Sequence, residues 1–264
     1  MRGTILLRTA LLGLQASLST QLYVPSTAGD VAVRDISVLP TRTIANVTVV
    51  DTELVREAQV FARSHSNDIV WNHIMRGWLY GTLILEHNTT LRESVDAEAH
   101  ALAAILHDLG WDQTPNSTTV SADRRFEVDG AIAARDFIRS KARNPQAWDE
   151  NRLQLVWDSI ALHSQNSLFL YKQDTVKVTG AGITMDLEGP SDGVTQQEYD
   201  AIAEEFTRAQ LREGVNQTFV WLCTSKPTST YGTFMQVWGD EFVANYSAVG
   251  YRVFDIINDV SDKN

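Results

Sequence analysis

The stretch "AAILHDLGWD" at residues 103–112 places His107 beside Asp108 at the end of a run of small and aliphatic residues. Burying a charge without a partner is expensive, so this pair is solvated, satisfied by neighbours, or bound to something positive. Three other segments carry comparable side chains on apolar faces. In "NDIVWNHIMRGWLYG" (67–81), His73 is followed at i+4 and i+7 by Gly77 and Tyr80, among tryptophans. In "NRLQLVWDSIALHSQ" (151–165), His163 continues the stripe of Leu153, Val156 and Ile160. In "RRFEVDGAIAARDFI" (124–138), Glu127 begins the series Ala131, Ala134 and Ile138. Taken singly, each reads as a satisfied core residue, and Glu127 also as a cap of its own helix. One metal-centred pocket explains all four together, because a metal needs donors from several elements.

The elements that must position these groups are helices. Apolar spacings of three and four run through segments near 52–66, 68–87, 91–109, 122–142, 147–165, 174–187, 195–213 and 230–247. Thr90 to Glu93 and Thr195 to Glu198 have the spacing of capping boxes, which predicts helix starts there. Alternating strand patterns are nearly absent, so the expectation is an all-α single domain over 51–264. In the helix holding His107, Val95, Ala99, Leu102, Leu106 and Leu109 form one face and Ala97, Ala101 and Ala104 the opposite one. A helix apolar nearly all round belongs at the centre of a bundle.

Composition narrows the partners. The 264 residues carry 22 Lys plus Arg against 33 Asp plus Glu, a net charge of −11 that repels nucleic acid and anionic membranes. The single cysteine, Cys223, forms no internal disulfide and reads as a small buried hydrophobe. The start "MRGTILLRTALLGLQASLST" has Arg2, an apolar run too short to span a bilayer, and small residues Ser17 and Ser19 placed for cleavage, which predicts a signal peptide over 1–19. An extended leader is expected over 20–50. Five N-x-[ST] sequons, at Asn46, Asn88, Asn116, Asn216 and Asn245, stand among twelve asparagines and add to the expectation of a secreted glycoprotein.

The order His73, His107-Asp108 and a later aspartate resembles the HD-domain superfamily of metal-dependent enzymes. The strings "WNHIMRGWLYG", "AAILHDLGWD", "RFEVDGAIAARDFI", "ALHSQ" and "GITMDLEGP", in that order, look like the successive motifs of its cyanamide hydratase-like branch. The resemblance implies an HD-type helical bundle around one divalent ion, zinc ahead of iron or manganese, held by His73, His107, Asp108 and Asp186. Spacing alone leaves Asp174, Asp186, Glu188, Asp192 and several later carboxylates open for the last position. Val178, Gly182 and Asp186 repeat at i+4, which sets Asp186 on a small, apolar face. The implied chemistry is addition of activated water to a small nitrogenous, cyanamide- or nitrile-like substrate, because a metal in such a site lowers the pKa of bound water toward ~7. Glu127 or His163 is then the proton donor to the developing charge on nitrogen.

Two other readings compete. A phosphohydrolase of nucleotides or phosphoesters needs cations to hold phosphate, and Arg76, Arg124 and Arg125 are the near candidates. A non-catalytic secreted metal- or ligand-binding protein would enclose its metal completely. Trp71, Trp78, Trp111 and Trp148 are candidates to line a ligand cavity under either enzyme or binder.

Overall fold

Side-chain caps fix half of the α-helix starts. In the computed structural model, which describes residues 39–260, Thr52 accepts the Val55 N–H at the start of α1 (Glu53–Ser64), and Asn67 accepts that of Val70 at α2 (Asp68–His87). Asn88 caps α3 (Thr89–Ser94) and Asp96 caps α4 (Ala97–Leu106) in the same way. Then follow α5 (Phe126–Lys141), α6 (Glu150–Ala161, capped by Asp149), α7 (Asn166–Phe169) and α8 (Asp174–Glu188). A full capping box between Thr195 and Glu198 opens α9 (Gln196–Glu205), and α10 (Leu211–Ser225), α11 (Gln236–Phe242) and α12 (Val253–Asn258) complete the chain. Each such cap stabilises its helix by about 1 kcal/mol. The described residues form an all-α bundle with one small hairpin.

The helical expectations change in three places. The segment 91–109 is two helices, because Asp96 turns its side chain to the Ala99 N–H and starts a new one; Thr90 lies inside α3, which Asn88 caps. The segment 195–213 ends at Glu205, and a second helix, α10, begins after Gln210 adopts a left-handed φ of 62°. The segment 230–247 is helical only over 236–242.

The leader expected over 20–50 is folded in its last part. Strands β1 (Thr41–Ile44) and β2 (Val47–Val50) pair antiparallel, with Ile44 opposite Val47. Ala45 and Asn46, at φ 46° and 63°, make the two-residue turn whose twist matches an antiparallel pair. Alternation buries Val47 and Val49 against α2 and α4 and leaves Thr48 outside. The hairpin therefore belongs to the helical domain. The signal peptide expected over 1–19, and the leader up to residue 38, lie outside the described residues.

Helix α4 runs through the centre, as its composition requires: every residue from Glu98 to Leu106 is buried. It packs on α1, α2, α6 and α8, while α2 and α8 share the most extensive contact of the bundle. Glycine sets that contact. A Cβ on Gly182 would stand 2.5 Å from both the Gly77 carbonyl oxygen and the Gly81 nitrogen, so no larger residue fits there. The two backbones touch, and His73 on α2 meets Asp186 on α8. No described helix is long and apolar enough to cross a membrane.

Candidate metal centre

Helix α4 stops one residue before its histidine. His107 is the C-cap, and Asp108 leaves helical geometry at φ −100°, ψ 20°, which swings its carboxylate back across the helix end. The last carbonyls of a helix lack intrahelical donors. The His107 ring supplies one, its Nδ1–H donating to the Ala104 oxygen at 2.8 Å. A carbonyl only accepts, so Nδ1 carries the proton and Nε2 presents a lone pair in the neutral ring. His73 is fixed in the same sense, with its Nδ1–H donating to Asp186 Oδ2 at 2.7 Å.

Both Nε2 atoms and Asp108 Oδ2 face one another. The separations are 3.3 Å between the two nitrogens, 3.1 Å from His107 to Asp108 and 3.7 Å from His73 to Asp108. These three residues are buried and form the one group of metal-donor geometry among the described residues. Donors about 2.0–2.2 Å from a shared tetrahedral ion lie roughly 3.3–3.6 Å apart, a spacing close to the one found. Both Asp108 oxygens are buried without a hydrogen-bond donor. An unsatisfied buried carboxylate facing two lone pairs is costly until a cation joins them, so the donor set fits a divalent ion. Without an ion, a proton on His107 answers the same charge. Burial pushes Asp108 up and His107 down, but their mutual attraction outweighs it, lowering the aspartate and raising the histidine.

The structure does not bring Asp186, expected as the fourth ligand, into this group. Its Oδ2 holds His73 Nδ1, and both oxygens take the fully buried Arg76 guanidinium, at 2.7 Å to Oδ1 and 2.8 Å to Oδ2. Arg76 also donates to the Phe206 and Thr207 carbonyls. Burial raises the Asp186 pKa, but the bonds from His73 and Arg76 bring it down to about 2. The residue stands behind His73 and sets that ring's tautomer and orientation, the usual task of a carboxylate beside a metal-facing imidazole.

His163 and Glu127 lie near the cluster. His163 sits two residues past the end of α6 and repeats the device of His107, its Nδ1–H donating to the Ile160 carbonyl at 2.7 Å. Its ring meets that of His107 edge-on at 4.8 Å. Burial and the charge of His107 lower its pKa to about 4, so it is neutral at pH 7 and offers an accepting Nε2. It is an acceptor in that state, and a donor only once it has taken up a proton. Glu127 is buried in the first turn of α5 and makes no cap; it is held by Arg125 and by the Ser164 hydroxyl at 2.6 Å.

Beside the cluster lies a cavity of about 270 Å³. His73 and His163 form part of its wall, with Trp111, Phe126, Phe219 and Trp238. Trp111 lies parallel to the His73 ring at 6.0 Å. Of the four tryptophans expected to line a cavity, Trp111 alone lines this one. Trp78 is core, Trp71 borders a groove beside Arg63 on α1, and Trp148 stacks under Arg152 at 3.5 Å. Phe219 on α10 and Phe234 with Trp238 around α11 escape the sequence reading, although the i+4 pair of Phe234 and Trp238 was a signal for them. No protein-family model matches the chain, and no curated protein matches it.

Proposed function

We propose that the protein is a metal-dependent hydrolase or hydratase that adds water at the electrophilic carbon of a small nitrogenous, cyanamide- or nitrile-like substrate. The observation that carries this reading is the doubly unsatisfied Asp108 carboxylate facing two oriented Nε2 lone pairs. The ordered resemblance of the five strings to the HD superfamily's cyanamide hydratase-like branch supplies the reaction class. His73, His107 and Asp108 would hold one divalent ion, zinc ahead of iron or manganese. Such an ion supplies Lewis-acid activation of water.

The chain's own groups do the rest. Ala104 and Asp186 keep the two imidazoles in the donor tautomer before any ligand arrives. Three protein donors leave coordination positions open, which favours an enzyme over a fully enclosed structural brace. His163 Nε2, uncharged and accepting, is placed to take a proton from water during attack. Protonation of the substrate nitrogen then follows from that same imidazole in its charged form.

The three arginines that a phosphohydrolase would need are engaged elsewhere. Arg76 is spent on Asp186, Arg124 on Asp129 and Arg125 on Glu127. This weakens the phosphoester reading. The test is metal analysis of purified protein followed by assay with cyanamide. About one equivalent of metal and urea formation abolished by chelator are expected. Metal-free active protein, or turnover of phosphoesters alone, would overturn the proposal.

A further inference from the structure

The cavity beside the metal cluster states what kind of molecule fills it. Its wall contains no lysine or arginine, and its one charged residue is the carboxylate Glu188. Apart from the ion proposed for the neighbouring cluster, a benzoate or phosphate entering there meets a like charge and no cationic side chain, whereas an uncharged ligand loses nothing. Aromatic and aliphatic groups make up most of the lining, Trp111, Phe126, Phe219, Phe234 and Trp238 among them. Trp111 also carries a buried indole N–H without an acceptor among the described residues, a donor suited to a neutral nitrogen or carbonyl.

Size adds a second constraint. At ~30 Å³ for each water's share of liquid volume, a molecule of three heavy atoms takes up roughly 90 Å³. That leaves most of the 270 Å³ unfilled. Walls without partner atoms forfeit their dispersion contacts, so a tiny polar substrate draws little binding energy from this lining. A ligand of roughly eight to twelve heavy atoms, one aromatic ring with a short substituent, matches the volume and the walls.

We propose that the site takes an uncharged, ring-sized apolar molecule. Resting on the reaction proposed above, that molecule carries its nitrile-type carbon on the ring substituent, so that the ring is held by the aromatic wall. For benzonitrile as the probe, one water is consumed. Its oxygen bonds to the nitrile carbon while one C–N π pair moves onto nitrogen and takes a proton; in the resulting imidic acid the second π pair then moves onto nitrogen and takes the other proton as the O–H pair becomes the C=O π bond, giving benzamide with no change of oxidation state.

The experiment measures binding apart from turnover, by quenching of tryptophan fluorescence in the chelator-stripped protein, where no ion attracts the anions, since Trp111 and Trp238 lie in the wall. Benzonitrile and benzamide are expected to bind at least tenfold more tightly than benzoate and phenyl phosphate. Val215→Trp, which fills the cavity from α10, should weaken benzamide binding at least tenfold while metal content stays the same. Leu187→Arg, at a wall position 58% exposed and so tolerant of charge, should improve benzoate binding at least fivefold. Equal or tighter binding of the anions, or indifference to both substitutions, overturns the ligand class. Cyanamide turned over by a protein that binds no ring-sized probe also overturns it and leaves the proposed reaction standing. Tight benzamide binding without hydration of any nitrile does the reverse.

Discussion

Replacing Asp108 by asparagine separates a metal site from an ordinary buried ion pair. In the metal-stripped protein, Asp108 keeps two buried oxygens with no donor, 3.1 Å from one imidazole nitrogen and 3.7 Å from another. Asp108→Asn puts an amide N–H donor where Oδ2 stands, within reach of the His107 Nε2 lone pair. A buried group left unsatisfied costs about 1–3 kcal/mol, and that cost is relieved. If the stripped parent instead protonates His107 to pair with Asp108, the exchange of a buried ion pair for a neutral hydrogen bond is still neutral to stabilising. The stripped variant should therefore unfold at the same temperature as the stripped parent or higher, by roughly 2–4 °C for each kcal/mol gained. It should also lose metal binding and activity. Calorimetry with and without chelator, alongside metal analysis, reads all three. A stripped Asp108→Asn protein less stable than its stripped parent by more than about 1 kcal/mol would refute the argument, because Asp108 would then be holding the apo fold together.

Arg76→Met leaves the buried Asp186 with only the Arg208 guanidinium, 3.4 Å from its Oδ1, and should destabilise the fold by about 3–5 kcal/mol, read from the urea midpoint; a change under 1 kcal/mol would mean that Arg208 takes over the carboxylate. His163→Gln should lower kcat by roughly 10²–10⁴ with metal content retained, whereas equal loss of metal and activity would make His163 a ligand. His100, on α4 away from the cluster, is held near pKa 4 by burial, below the ordinary ~6.5. The folded state therefore binds the fewer protons, so this contribution is complete above pH ~6.5 and is lost as pH falls toward 4, by up to roughly 3 kcal/mol. His100→Gln should flatten the pH dependence of the urea midpoint in that window, and an unchanged slope would contradict the assignment. In secretory expression, glycans are expected at the exposed Asn46, Asn88, Asn116 and Asn245 but not at Asn216, whose Oδ1 accepts the Trp238 indole N–H in mid-helix; site-resolved mass spectrometry checks each position.

The long periodic segments were legible because their pattern is also their packing. Helix α2 lies at the residues its periodicity gives, and α4 is central because it has no polar face to show water. Short elements carried weaker signals. The hairpin at 41–50 offers only Val47 and Val49 as inward alternation, too few to stand out from a leader rich in Thr and Val. Helix α10 was missed because Gly214, Val215 and Thr218 interrupt any helical preference; its stability comes from burying Phe219, Leu222 and Cys223 against the bundle.

Within the site, the sequence distinguished residues that must be buried from those that need not, but not a ligand from the group behind it. His107 and Asp108 are adjacent, so one helix end fixes both, and their joint burial already calls for a cation. Asp186 satisfies the same pattern on an apolar face, yet its neighbours across the α2–α8 contact decide its role. Arg76 lies three residues after His73, hence on the same side of α2, and the glycine-mediated approach of α8 brings the Asp186 carboxylate against both. A carboxylate offered a buried guanidinium and an imidazole N–H takes both, because each bond to a charged group is worth about 1.5–3 kcal/mol. The sequence offered Arg76 only as a candidate to hold phosphate, and an arginine is rarely fully buried without a partner. The pairing of Arg76 with Asp186 therefore turns the aspartate toward the His73 ring instead of into the cluster, and neither residue's place follows from its own helix alone.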